Sequence, residues 1–222
     1  NNILAVEYLK AIYTQRLRLE PITIARIGAG HDEEGGSASD IRNMLATGKP
    51  IKHFVPKPAY EILNREIEQG RGPVLMEDLE RAIISRFRMM EEQDFSELPD
   101  DSEGLGNRLF AAAHEESTLD GIIAAAKSKR YALSRIRRMC MCLALGIKKG
   151  QAEGLPPYAR VLAANEVGRG VLKTIAEKST IPVITKPAAV KDMSAECREL
   201  FELGSRAHDL YVLGYSALEE RR

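Results

Sequence analysis

Helical periodicity from Pro56 onward restricts the possible folds most strongly. Between Tyr131 and Gly146, apolar residues recur at spacings of three and four and share one helix face: Leu133, Ile136, Cys140 and Leu143. Further helices are predicted over residues 57–68, 76–90, 107–115 and 119–127 and from residue 194 onward, with Gly, Pro and acidic residues between them. At 222 residues and 44% hydrophobic content, the chain can bury a substantial core. Its longest uncharged apolar run, residues 139–147, is too short to cross a membrane.

Two regions depart from this helical pattern. A helix over residues 2–12 is followed by a β-branched run from Ile22 to Ile27, which predicts a strand. A glycine-rich loop over residues 28–36 then leads into a helix that Ser37 or Ser39 can cap. Later, short strands predicted over residues 158–164 and 181–185 flank a helix over residues 168–178. The expected class is therefore α/β and helix-rich, with a small βαβ-like unit.

The glycine-rich loop and the helix after it are a candidate phosphate site. Glycines let backbone N–H groups approach an anion, and a helix N-terminus adds partial positive charge. Ser37, Ser39 and Arg42 can add hydroxyl and guanidinium donors. Arg26, at the end of the predicted strand, lies where ligands gather in open α/β sheets. The alternatives are a flexible loop with a serine cap and a surface arginine.

Charge is segregated along the chain, although 32 basic residues balance 32 acidic ones. Residues 91–103 carry only acidic charges and predict an acidic linker, whereas residues 127–149 carry only basic charges. Unpaired positive charge on one helix face favours RNA phosphates through counterion release, and Tyr131 can stack on a base. The predicted RNA-binding residues are Lys127, Lys129, Arg130, Tyr131, Arg135 and Arg138. The alternative is a solvated helix face whose charges pair with the acidic segment.

The remaining polar residues point to no other chemistry. Cys140, Cys142 and Cys197 form neither a disulfide framework nor a zinc-site spacing, which predicts a reducing, cytoplasmic setting. The dipeptides His31-Asp32 and His208-Asp209 lack metal-ligand spacing, so no metal site is predicted.

Several segments together resemble the bacterial tRNA(Met) cytidine acetate ligase family of the HxGH nucleotidyltransferase superfamily. Their order and combination carry the resemblance: residues 1–4, 7–11, 21–30, 37–42, 103–105, 107–109, 127–131, 135–139, 156–158 and 160–162. It covers essentially the whole chain but only the later part of the family's length. The His-x-Gly-His motif is not in this sequence, so no catalytic residue is assigned.

The resemblance implies a division of the chain and additional ATP contacts. Residues 1–56 would be the C-terminal piece of a Rossmann-like nucleotidyltransferase domain, and residues 57–222 a mostly α-helical, tRNA-binding domain. Asn1 and Arg26 fall where the family is expected to contact ATP. Ser37, Ser39 and Arg42 resemble the superfamily's second phosphate motif, although Ala38 and Asp40 depart from its commonest form.

The resemblance also implies a reaction in two steps. Acetate attacks the α-phosphate of ATP to form acetyl-adenylate, and the wobble cytidine of elongator tRNA(Met) then accepts the acetyl group to give N4-acetylcytidine. Mg²⁺ would accompany ATP, and without the His-x-Gly-His segment the chain alone would be inactive. Two alternatives remain open: a nucleotidyltransferase that adenylates a small molecule, and a non-catalytic RNA-binding module.

Overall fold

The structure is a computed structural model that describes residues 2–24, 37–151 and 154–221. By contact density the chain divides into two units, Asn1–Lys57 and Pro58–Arg222. Helices dominate both: α1 (Asn2–Thr14), α2 (Ala38–Ala46), α3 (Lys57–Glu68), α4 (Met76–Arg88), α5 (Glu92–Ser96), α6 (Leu105–Glu115), α7 (Leu119–Ala126), α8 (Leu133–Leu145), α9 (Glu166–Lys178) and α10 (Ala195–Val212). Within the described ranges, no helix is both long enough and apolar enough to cross a bilayer.

In the first unit, α1 and α2 form as the sequence predicts, but the described part of the strand predicted between them does not. Residues 22–24 adopt no regular structure, so the predicted strand is wrong for this part, and residues 25–27 lie outside the described chain. Large apolar side chains of α1 are solvent-exposed, including Ile3, Leu4, Val6 and Tyr13.

In the second unit, helices α4 to α8 enclose a common hydrophobic core. Phe87, Phe95, Leu109 and Ile136 are almost completely buried, and Phe87 and Phe95 meet edge to face with their centroids 6.2 Å apart. Burial of such side chains contributes roughly 1.5–3 kcal/mol each. The α8 face follows the predicted spacing, except that Leu133 at its first position is 39% exposed.

The acidic segment is part of this core and is not a linker. Five of its residues form α5, which packs against α6. Phe95 and Leu98 are buried, although every charged side chain in the segment is acidic. Its periodic apolar residues are too few to stand out from the surrounding carboxylates, which explains why the sequence pattern suggested a linker.

Charged side chains from one core helix bind the ends of another. Arg86 Nε donates to the carbonyl of Leu143 near the end of α8 at 3.2 Å, and Arg88 Nε to Ala113 near the end of α6 at 3.0 Å. Arg108 Nη2 likewise donates to Ala125 in α7 at 3.1 Å, and Glu80 accepts the backbone N–H of Leu119, the first residue of α7, at 2.8 Å. These contacts satisfy backbone groups that a helix end leaves without intrahelical partners.

The predicted βαβ unit is present, with shorter strands than expected. Strands β1 (Ala159–Arg160) and β2 (Val183–Ile184) pair in parallel, with Ala159 opposite Val183, and α9 connects them. Asn165 caps α9 by accepting the backbone N–H of Gly168 at 2.8 Å. A 3₁₀ segment, Pro187–Asp192, and α10 follow, and α10 packs against α8.

Candidate phosphate-binding and RNA-binding residues

Ser37 caps α2 in a reciprocal arrangement with Asp40. Its Oγ accepts the backbone N–H of Asp40 at 3.2 Å, and its own backbone N–H donates to Asp40 Oδ2 at 3.1 Å. The Ser37 hydroxyl also donates to Oδ2 at 2.8 Å. This is a capping box, which positions the first turn of α2. The Ser37 hydroxyl would have to leave Asp40 before it could donate to a phosphate.

Ser39 and Arg42 lie one turn apart on α2 and are both exposed. Arg42 Nη2 donates to Ser39 Oγ at 3.1 Å, so the guanidinium and the hydroxyl are within reach of one anion. The start of the helix adds partial positive charge, whereas the adjacent Asp40 carboxylate opposes an anion. The role of these residues in ATP binding stays a prediction. Asn1, Arg26 and the glycine-rich loop lie outside the described residues.

The predicted RNA-binding residues divide into two groups, and the first makes internal contacts. Lys127 Nζ donates to the carbonyl of Ser128 at 3.0 Å and also to that of Tyr131. Arg135 Nε donates to the carbonyl of Asp100 at 3.1 Å, and Arg138 Nε donates to its carboxylate at 2.9 Å. Most of the predicted cations therefore have partners in the folded chain.

The second group faces solvent with free side chains. Lys129 and Arg130 are exposed, and across the described ranges their side chains make no hydrogen bond or ion pair. Arg137 has the same properties and was missing from the predicted set. Its spacing could have identified it, because Ser134 and Arg137 are one helical turn apart on the solvent side of α8. In the part of the chain that the structure describes, three cations without a side-chain partner thus lie between residues 129 and 137.

Tyr131 belongs to the core and not to the surface. Its side chain is 4% exposed, its hydroxyl donates to the carbonyl of Glu103 at 2.8 Å, and the Arg135 guanidinium lies 5.5 Å from its ring centroid. A buried ring cannot stack on a base, so that interpretation of Tyr131 is wrong. An aromatic residue among basic ones has the same local pattern whether it faces solvent or the core.

Cys140 and Cys142 are not placed for nucleophilic chemistry. Burial raises the pKa of the Cys140 thiol to about 12, and burial also raises the pKa of Cys142. Both are protonated near neutral pH, and the thiolate is the reactive form. In the described part of the chain, no group of three or more His, Cys, Asp or Glu side chains is placed to hold a metal ion.

Comparison with known proteins identifies related sequences and structures. A sequence model described as HIGH Nucleotidyl Transferase matches residues 1–222. The tRNA(Met) cytidine acetate ligase of Alkaliphilus metalliredigens (strain QYMF) is 37% identical over 228 residues, which cover 96% of this chain and 53% of that protein. The protein of the same name from Thermosipho africanus (strain TCF52B) is 38% identical over 197 residues, which cover 85% of this chain and 47% of that protein.

Two crystal structures of Thermotoga maritima TmcAL superpose on the whole chain. The apo structure (form I) and the structure bound with alpha-thio ATP (form II) each have a TM-score of 0.89 and 28% sequence identity, and the chain covers 57% and 56% of them. The chain therefore spans about half the length of the curated relatives and structures that it matches.

Proposed function

Because the chain belongs to the HIGH nucleotidyl transferase family, we propose that it forms part of an ATP-dependent tRNA(Met) cytidine acetate ligase. The observation that carries this proposal is the similarity to proteins of that name over 96% of this chain. The alpha-thio ATP bound to a structural neighbour supports ATP as a substrate. The chain covers about half of these relatives, so the activity is proposed for the protein as its gene encodes it.

The proposed reaction activates acetate before transferring it. A carboxylate oxygen of acetate attacks the α-phosphorus of ATP, pyrophosphate leaves, and acetyl-adenylate forms. The exocyclic amine of the wobble cytidine then attacks the acetyl carbonyl carbon, AMP leaves, and a proton is lost from nitrogen. Mg²⁺ would be held chiefly by the ATP phosphates, because charge on the triphosphate needs a counter-ion.

The described residues support two separate roles in this reaction. On α2, Ser39 and Arg42 provide a hydroxyl and a guanidinium within 3.1 Å of each other, which suits a phosphate group of ATP. In the helical unit, Lys129, Arg130 and Arg137 provide positive charge without a side-chain partner among the described residues, which suits the phosphate backbone of tRNA. We assign no residue to acetate.

A turnover assay tests the proposal as a whole. The gene-encoded protein, ATP, radiolabelled acetate and a tRNA(Met) transcript should yield N4-acetylcytidine in the tRNA, together with AMP and pyrophosphate. Adenylation of acetate or another small molecule without any transfer to RNA would instead support the first alternative, a small-molecule nucleotidyltransferase. Binding of tRNA without ATP consumption would support the second, an RNA-binding module.

Charge reversal tests the RNA surface separately. The triple variant K129E/R130E/R137E should weaken tRNA binding and reduce the slope of log affinity against log salt by roughly 2 to 3, at about 0.7–0.9 per phosphate contact. The matched control R169E/K173E/K178E makes the same change in net charge on the exposed surface of α9. If both variants weaken tRNA binding equally, binding depends on the net charge of the protein and not on this surface, and the surface would no longer be part of the proposal.

A further inference from the structure

We infer that Arg138, one helical turn from Arg135, forms a subsite for one phosphate of the RNA backbone, and that the carboxylate of Asp100 occupies this subsite in the free protein. The inference rests on the proposed RNA-binding function. It adds an internal competitor to the RNA surface, which means that a bound phosphate must exchange with an acidic side chain of the same chain.

The geometry brings two guanidinium groups to a single residue. Arg138 donates from Nε at 2.9 Å and from Nη2 at 2.5 Å to the same carboxylate oxygen of Asp100, Oδ2. Arg135 donates from Nε and Nη2 to the backbone carbonyl of Asp100, and from Nη2 to Ser102 Oγ at 2.7 Å. Arg135 and Arg138 are one helical turn apart on α8, so their side chains converge on one side of the helix.

The carboxylate of Asp100 presents to Arg138 the negative charge that a phosphodiester would present. The negatively charged Oδ2 lies beside Arg138, whereas Arg135 binds the backbone carbonyl of the same residue and keeps that contact when the carboxylate leaves. Guanidinium N–H groups bind carboxylate and phosphate oxygens alike, and here two of them hold one carboxylate oxygen. A site that holds a carboxylate in this way is therefore suited to a phosphate as well.

The Asp100 carboxylate can leave Arg138 with little loss of stability. The Arg138 and Asp100 side chains are 57% and 45% exposed, and ion pairs at such exposure contribute little to stability. The turn that carries Asp100 has anchors of its own, because Asp101 Oδ1 accepts the backbone N–H of Gly106 at 2.7 Å and Tyr131 binds the carbonyl of Glu103. The Asp100 side chain can rotate away while the turn stays attached to the core.

Competition of this kind favours ligands that bind at several points. A single phosphate or a free nucleotide gains one contact and must displace Asp100 for it. An RNA chain that also contacts Lys129, Arg130 and Arg137 gains several contacts at once. Asp100 would therefore raise selectivity for RNA over small anions.

The variant D100N tests the inference with little change in shape. Asp100 has a φ of 63°, in the left-handed region that Asn also tolerates, and the backbone carbonyl that Arg135 binds is retained. We expect D100N to bind a tRNA(Met) transcript roughly 2- to 5-fold more tightly, the factor that corresponds to an exposed ion pair, and to steepen the salt slope by about one. In the R138Q background, D100N should bring no gain.

The control variant E97Q and the tRNA affinity of the wild type separate failure of this inference from failure of the proposed RNA function. E97Q also removes one acidic charge from an exposed ion pair, that with Lys148 at 2.7 Å, and should leave tRNA affinity unchanged. If the wild type binds tRNA, three outcomes would overturn this inference alone. They are a tRNA affinity of D100N that is unchanged or weaker, an equal rise in tRNA affinity in E97Q, and a rise that persists when D100N is combined with R138Q. Absence of tRNA binding by the wild type would refute the proposed RNA function and this inference with it.

Discussion

Replacing Gly106 with alanine should destabilise the helical unit, because the structure leaves no room for a methyl group there. Gly106 is buried in the first turn of α6, where α6 packs against α5. A Cβ atom at this position would lie 2.5 Å from the carbonyl oxygen of Phe95 and 2.9 Å from its carbonyl carbon. Both atoms belong to the backbone, so α5 and α6 would have to move apart.

The magnitude follows from two opposing terms. Overpacking of a buried position costs about 1–3 kcal/mol. Alanine recovers about 0.5–1 kcal/mol of helix propensity relative to glycine. We therefore expect Gly106→Ala to lower the free energy of unfolding by roughly 1–2 kcal/mol, which corresponds to a melting temperature lower by roughly 2–8 °C for a protein of this length.

Gly204→Ala is the matched control. Gly204 also lies within a helix, α10, but it is exposed, and apart from the adjacent residues and the helix backbone a Cβ atom there would meet no atom of the described residues within 4 Å. This variant should gain about 0.5–1 kcal/mol, since only the propensity term applies. Urea and thermal unfolding, followed by circular dichroism, give both values. A Gly106→Ala protein as stable as the Gly204→Ala protein would refute the reasoning, because the close approach of Phe95 would then have no energetic effect.

Three further outcomes follow from individual side chains. Tyr131→Phe should lose about 1 kcal/mol of unfolding free energy, through its missing hydrogen bond to Glu103, while tRNA affinity stays the same; weaker tRNA binding would contradict the core assignment. Cys140, with its pKa of about 12, should react with a thiol reagent at neutral pH only after unfolding, and rapid native labelling would show that it is accessible. Hydrogen bonds from Arg71 and Arg65 lower the pKa of Glu66 from 4.5 in the folded protein. The stabilisation of the fold by the Glu66 carboxylate is therefore complete above pH 4.5 and is lost as the pH falls through the lower pKa of the folded state. The difference in melting temperature between wild type and Glu66→Gln should accordingly shrink in acid, and a difference that does not vary with pH would count against this ion pair.

Periodicity in the sequence predicted the helices well and the short segments poorly. The helix over residues 57–68 has the predicted bounds, and the others agree to within a few residues, because each repeats its apolar spacing over several turns. The five-residue helix α5 is too short to show such a repeat. The βαβ unit was predictable because a helix separates two short segments, the second of which, residues 181–185, is rich in β-branched residues.

The candidate site was less predictable, because charge along the sequence does not show which cations are already bound. Arg135 and Arg138 have partners 35 and 38 residues away, whereas Arg137 between them has none in the described ranges. Local spacing could indicate the solvent side of α8, but not that Asp100 lies against it. The burial of Tyr131 likewise involves a hydrogen bond to Glu103, which is too far away along the sequence for local spacing to reveal.

The arginine contacts at helix ends also limit how the protein can be divided for study. Arg86, Arg88 and Arg108 each bind the end of a helix that comes later in the chain. A truncation that removes residues before about position 90 would leave α8 without Arg86 and α6 without Arg88, even though both helices would remain intact in sequence. Expression boundaries for the RNA-binding surface should therefore include α4, and a shorter piece that holds only the basic stretch would be a poor representative of it.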